Sequence, residues 1–116
     1  MHIIKITYDK YYEMVHCKRY VDIDSIDIKR FSKKRSNYIN INTIAIQNNY
    51  QNKTTVDLVS YEIKKYLNEK NRIGYKIKGI VGIATSEFEN EIFCNMGFDK
   101  ITMNVSKYYV YCLKIK

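Results

Sequence analysis

The chain contains no proline and no tryptophan, and its 116 residues include only four glycines, three cysteines and two histidines. Without a proline-, glycine- or serine-rich stretch, and without an internal repeat, there is no hinge at which to divide it, so residues 1–116 read as a single domain. Cys17, Cys94 and Cys112 are odd in number and lack CxxC spacing, which excludes a disulfide framework and points to a reducing, cytoplasmic setting. His2 and His16 cannot complete a metal site with those cysteines at finger or catalytic spacing, so no metal is expected. No window approaches the roughly 18 to 20 continuous apolar residues needed to span a bilayer. The opening MHIIKITYDKYYE has neither a long apolar core nor a small-residue cleavage site, so no leader and no membrane association are expected.

What is present is charge and aliphatic bulk. Twenty Lys and Arg against twelve Asp and Glu give a formal charge of +8, and the chain is 46% hydrophobic, enough for a packed core. The densest basic stretch, Lys29, Arg30, Lys33, Lys34 and Arg35, lies between apolar segments and reads as a solvated loop. With the charge otherwise dispersed and no RRM-, KH- or helix-turn-helix-like pattern, a nucleic-acid partner is disfavoured. The excess of Ile, Lys, Asn and Tyr fits an AT-rich coding bias, so the twelve tyrosines need not form a stacking surface.

IIKIT reads as a strand, and Tyr8, Tyr11, Tyr12 and Val15 then recur at helical spacing. VDIDSIDI alternates but carries three aspartates in eight residues, so a strand and an irregular loop both fit. In the segment 39–46 the isoleucines fall at 39 and 41, then at 44 and 46, and this slip of phase predicts a bulge near Asn42 and Thr43 that splays the strand. Val56, Val59, Ile63, Tyr66 and Leu67 mark a helix capped by Thr54 or Thr55, with Asp57 completing an imperfect capping box, and ending near Asn68. KIKGIVGIAT is more continuously apolar than the segment 39–46 and predicts a strand buried on both faces. A helix capped by Ser86 and stopped by Gly97 follows, then strands near 100–103 and 108–115. The expected fold is α/β (α+β), with a parallel βαβ crossover and a terminal hairpin closing a mixed sheet.

The stretches INTIAIQNNYQNKTTVDLVSYEIKKYL and GIVGIATSEFENEIFCNMGFDKI resemble the acetyl-CoA-binding half of the GNAT superfamily of N-acyltransferases, from about Ile39 to the C-terminus. In that family a bulged strand leads to a loop of pattern Gln/Arg-x-x-Gly-x-Gly/Ala, whose backbone N–H groups hold the cofactor pyrophosphate. Gln51 takes the first position, and Thr54 and Val56 stand where the two small residues belong, so both glycines are missing. Phe93 replaces a tyrosine often used as general acid, Met96-Gly97-Phe98 matches the family's helix ending, and Ser86 falls where many members place an asparagine near the pantetheine.

The resemblance implies acetyl transfer from acetyl-CoA to an amine on a small molecule or peptide. Ile44, Ala45 and Ile46 would supply a backbone N–H to the acetyl carbonyl, and Gln51, Asn52, Lys53, Thr54, Thr55 and Val56 would line the pyrophosphate, with Ser86 beside the pantetheine. Segment 36–46 holds no carboxylate, and Asp27 is the nominated base. Thr54 and Asp57 also read as plain capping residues, Phe93, Met96 and Phe98 as core, and Cys94 as a small buried or half-buried side chain. The competing reading is a GNAT-like domain, shortened at its start, that binds CoA or a protein without turnover. Such shortening predicts an uncovered apolar sheet edge or face, and hence a homodimer.

Overall fold

Isoleucine, valine and alanine dominate the strand Ile77–Ala84 (β3), whose residues are all buried except Lys78. This strand is the middle of a five-stranded mixed sheet. The structure is a computed structural model, and it describes residues 2–18, 21–42, 49, 51–101 and 109–114. In chain order the elements are β1 (His2–Ile6), α1 (Tyr8–Cys17), a short 3-10 turn (Ser25–Asp27), β2 (Asn37–Asn42), α2 (Lys53–Ile73), β3, α3 (Glu87–Asn95), β4 (Asp99–Lys100) and β5 (Tyr109–Lys114).

The strands lie in the order β1-β2-β3-β5-β4. β2 runs parallel to β3 through the α2 crossover, while β1 pairs antiparallel with β2, and β5 antiparallel with both β3 and β4. The mixed α+β architecture, the βαβ unit and the terminal hairpin are as the sequence predicts. A register slip lies at the start of the parallel pair. β2 begins at Asn37, and its register to β3 slips between Asn37, opposite Ile77, and Tyr38, opposite Gly79. The extra residue is therefore Lys78 on β3, turned outward to water. The bulge expected near Asn42 and Thr43 involves 43–48, outside the described residues.

Both faces of the sheet are covered. α1 lays Met14 onto Ile6, Val81, Ile83 and Val110, while α2 and α3 bury Val56, Ile63, Ile92 and Phe93 against Ile39, Ile41 and Ile80. The tyrosine stripe expected to bury α1 divides in two: Tyr11 turns inward, whereas Tyr8 and Tyr12 stay half exposed. The outer edge of β1 is met by the segment after the 3-10 turn, through an Ile6–Ile28 bridge, Thr7 N–H to Asp27 O (2.8 Å) and Lys29 N–H to Lys5 O (3.0 Å). The uncovered face or edge on which the homodimer expectation rests is thus occupied at these places by the chain itself.

α2 runs five residues past Asn68, because Glu69 and Arg72 pair one turn apart and Lys70 spreads over the rings of Phe31, Tyr66 and Tyr75. It stops at Gly74, whose φ of +112° a side chain would strain. α3 matches its expected limits, with Ser86 Oγ accepting from Glu89 N–H (3.3 Å) and Gly97 at φ +86°.

One core position is at odds with its surroundings. Asn40 is fully buried between Ile4 and Val81, and among the described residues neither its amide nitrogen nor its amide oxygen has a hydrogen-bond partner. Asn40→Val is expected to stabilise the fold by about 1–3 kcal/mol, by removing an unpaired polar group from an apolar layer. Urea unfolding checks it; an unchanged or lowered midpoint would mean that the amide is satisfied by solvent.

Candidate functional site

The sequence places its candidate site at the start of α2, which follows the carboxyl end of β2. Asn52 is the cap, with extended backbone (φ −140°, ψ 174°). Its Oδ1 accepts from Thr55 N–H (3.0 Å) and Thr55 Oγ1 (3.2 Å), and its carbonyl accepts from Val56 N–H (3.0 Å). This corrects the expectation that Thr54 or Thr55 caps the helix. Three cap-competent side chains compete here, and the amide of Asn52 reaches the third helical N–H first.

The correction also redistributes the donors. Thr55 and Val56 have spent their N–H groups within the helix, and Val56 is 4% exposed and packed in the core. Among the described residues, Lys53 and Thr54 N–H have no acceptor, as the first helical residues of any helix must. The Lys53 side chain is 86% exposed, and its ammonium stands 3.9 Å from the Asp57 carboxylate one turn away. Gln51 precedes the cap and is exposed. An open depression of about 400 Å³ joins this helix start to the last turns of α3, lined by Lys53, Val56, Glu91, Cys94 and Asn95.

The other predicted residues divide between this end of the sheet and the opposite one. Ser86, at the carboxyl end of β3, is on the same side as Asn52, because β2 and β3 are parallel. Its hydroxyl is occupied as the cap of α3. Next to it stands a carboxylate that the sequence reading missed: Glu89 is 7% exposed, with its oxygens accepting from Thr85 N–H (2.9 Å) and Thr85 Oγ1 (3.1 Å). Its position three residues after a serine cap was the available signal. Both oxygens hold the β3–α3 corner together, which is a structural task.

Asp27 lies elsewhere. Its Oδ2 accepts from Asp24 N–H (2.8 Å) and stands 3.5 Å from Lys10 Nζ, closing the 3-10 turn onto the first turns of α1. That turn adjoins Ile6 and Thr7, at the Tyr38 end of β2, and the strand from Tyr38 to Asn42 spans about 13 Å. Asp27 and the start of α2 are therefore not brought into one site. Ile44, Ala45 and Ile46 lie outside the described residues.

Phe93, in the position of the family's tyrosine, is fully buried between Gly82, Phe98 and Tyr111. Cys94, expected to be buried or half-buried, is exposed on α3. Tyr111 donates to Asn90 Oδ1 (2.8 Å); burial, then the neighbouring Cys94 thiol, pushes its phenol well above the ordinary tyrosine range. Tyr11 is raised likewise by burial and by its contact with Cys112 Sγ (3.4 Å). Both phenols stay protonated at neutral pH. Among the described residues no group of three or more His, Cys, Asp or Glu could hold a metal ion, and no helix is long and apolar enough to cross a membrane.

No family model matches the chain, and neither does any curated protein or solved structure.

Proposed function

We propose that the chain binds acetyl-CoA across the start of α2 and passes its acetyl group to an amine. The observation that carries this reading is the parallel β2–α2–β3 unit. It sets the two unspent N–H groups of Lys53 and Thr54, and the exposed ammonium of Lys53, at the carboxyl ends of two adjacent parallel strands. Open α/β sheets hold phosphate-bearing ligands at such a place, because a helix N-terminus there offers donors and partial positive charge. Of the ordered series that underlies the GNAT resemblance (bulge, loop, helix, strand and Met96-Gly97-Phe98 ending), the helix, the strand and the ending stand among the described elements, while the bulge and most of the loop fall on 43–48 and 50, outside the described residues. In the reaction an amine nitrogen attacks the thioester carbonyl, the C–S bond breaks and the departing CoA thiolate takes up a proton. With Phe93 lacking a hydroxyl and Asp27 at the far end of β2, no side chain is assigned to the proton transfers. Those two features favour, as a second reading, a domain that binds CoA without turnover.

Lys53 is the first helical residue, the one helical position that tolerates proline, and the extended backbone of Asn52 suits a following proline. Lys53→Gln removes the charge alone, whereas Lys53→Pro removes the charge and one N–H. A ligand at a hundredfold excess over Kd stabilises by about 2.7 kcal/mol, so wild type should show a clear thermal shift with CoA. Lys53→Gln should need more CoA for the same shift, and Lys53→Pro roughly tenfold more again. Identical titrations for all three proteins would put CoA elsewhere, and no shift at millimolar CoA would end the reading. Mass detection of acetylated products over an amine panel separates transfer from binding.

A further inference from the structure

The basic stretch of residues 29–35 does not stand alone in the fold, which brings Lys5 to it. Lys5 comes from β1, Lys29 and Arg30 from the segment laid along that strand, and Arg35 from the turn before β2; together they line one groove of about 520 Å³ that no carboxylate lines. Backbone bonds fix its walls. Lys29 N–H is bonded to Lys5 O (3.0 Å), Lys5 Nζ donates to Arg30 O (2.7 Å), and the buried Asn37 amide ties down Ser32 and the Arg35 carbonyl. Burial, then the nearby Arg35 and Lys29 charges, lower the pKa of Lys5.

The second observation is aromatic. Tyr8 and Tyr38 line the same groove with ring centroids 5.1 Å apart. From Tyr8 the rings continue along the outer face of α1: Tyr12 follows at 5.9 Å, and His16 lies flat on Tyr12 at 5.2 Å with 10° between planes. Tyr8 and Tyr12 are 53% and 50% exposed. The acidic residues of α1 are Asp9 and Glu13, and Glu13 is held by Lys10 Nζ at 3.4 Å.

We infer that this surface binds single-stranded nucleic acid, with backbone phosphates in the groove of Lys5, Lys29, Arg30 and Arg35 and unpaired bases stacked on Tyr8 and Tyr12. A rigid basic groove that continues into a row of exposed rings meets both halves of the ligand, since phosphates need fixed cations and unpaired bases need planar apolar faces. A small inorganic anion would leave the ring row unused, and a duplex hides its bases from it. The surface sits at the Tyr38 end of β2, away from the start of α2, and stands independently of the acyl-transfer proposal.

Fluorescence anisotropy with labelled 12-nucleotide RNA and DNA strands, over a salt series, tests it. Wild type should bind single strands more tightly than the matching duplex, with log K falling linearly in log salt. Lys29→Gln/Arg30→Gln should flatten that slope by roughly 0.7 for each phosphate that is no longer neutralised. Tyr12→Ala should weaken binding roughly five- to hundredfold with the slope unchanged, as expected when a stacked base is set free. Lys64→Gln/Lys65→Gln, on exposed residues of α2, makes the same change in net charge and should have little effect. Equal weakening by the two charge variants would mean attraction to net charge only and overturn the site. Weakening by the groove variant with Tyr12→Ala unaffected would overturn the nucleic-acid assignment in favour of a plain anion groove. The RNA and DNA arms decide which strand is preferred, and no binding of either at low salt overturns the inference outright. Circular dichroism and thermal melts of each variant separate misfolding from a direct effect on binding.

Discussion

Asn37→Asp is expected to cost the fold about 3–5 kcal/mol at pH 7, as burying an uncompensated charge does. The Asn37 side chain is fully buried; its Nδ2 donates to the carbonyls of Ser32 (2.8 Å), Lys76 (3.0 Å) and Arg35 (3.2 Å), and its Oδ1 accepts from Ser32 N–H (2.8 Å). A carboxylate would keep the one accepted bond and turn a charged oxygen toward three carbonyl oxygens. Asn37→Ala removes the same bonds without adding charge, and should cost about 1–3 kcal/mol with little dependence on pH. In the Asp variant burial raises the folded-state pKa above the unfolded value of about 3.9. The penalty is therefore greatest above the folded pKa and shrinks as pH falls toward the unfolded one, where the protonated acid also regains a donor. Urea unfolding at pH 7 and pH 5 reads this directly. Equal destabilisation of the two variants at pH 7 would rule out charge burial as the cause, and a cost below about 1 kcal/mol in both would show that the amide does not hold the turn. Given a typical total stability of about 5–15 kcal/mol, the Asp variant of a marginal domain would keep only about 0–2 kcal/mol.

Phe93→Ala should be comparably severe, about 3–5 kcal/mol, because it opens a cavity where α3 meets the sheet. The ring is fully buried, with Phe98 at 5.1 Å and Tyr111 at 5.4 Å between centroids. It fits only because residue 82 has no side chain: a Cβ on Gly82 would stand 2.4 Å from Phe93 Cε1. The flanking rings block its retreat, so Gly82→Ala should cost about 1–3 kcal/mol through overpacking. Combining Gly82→Ala with Phe93→Leu should then cost less than the two separate effects added together, and a double-mutant cycle by chemical denaturation measures the difference. Strict additivity would mean that the methyl and the ring do not compete for space.

How far the sequence could be read depended on whether each signal was local. α3 carries its own start and stop, Ser86 and Gly97, around an apolar spacing, and its limits are as read. α2 carries three candidate caps within four residues, so only the side-chain geometry selects Asn52. Its apolar period ends at Leu67, and the helix continues on a charge pair and a lysine laid over three rings, two of which come from outside the helix. Asn37 could not have been singled out, since its partners are the carbonyls of residues 32, 35 and 76 and their convergence exists only once β2 lies beside β3. The basic groove was visible in part: Lys29, Arg30 and Arg35 stand in the basic stretch of the sequence, whereas Lys5 and the tyrosines beside them do not. Its four cations span positions 5 to 35, and the pairing of β1 with segment 28–29 brings them together.

The position of β5 between β3 and β4 also orders events in time. A chain leaving the ribosome presents residues 99–100 well before residues 109–114, yet the earlier strand reaches the sheet only through the later one. During that interval Gly79–Ala84 has a partner available on its β2 side alone, and its other row of N–H and C=O groups awaits β5. The waiting edge is apolar, with Lys78 at its start as the only charge on the strand. An identical edge on a neighbouring nascent chain would pair with it by the same hydrogen bonds. Crowding of polysomes and the speed at which residues 85–114 are translated therefore bear directly on the yield of this fold, through competition for one strand edge that closes late.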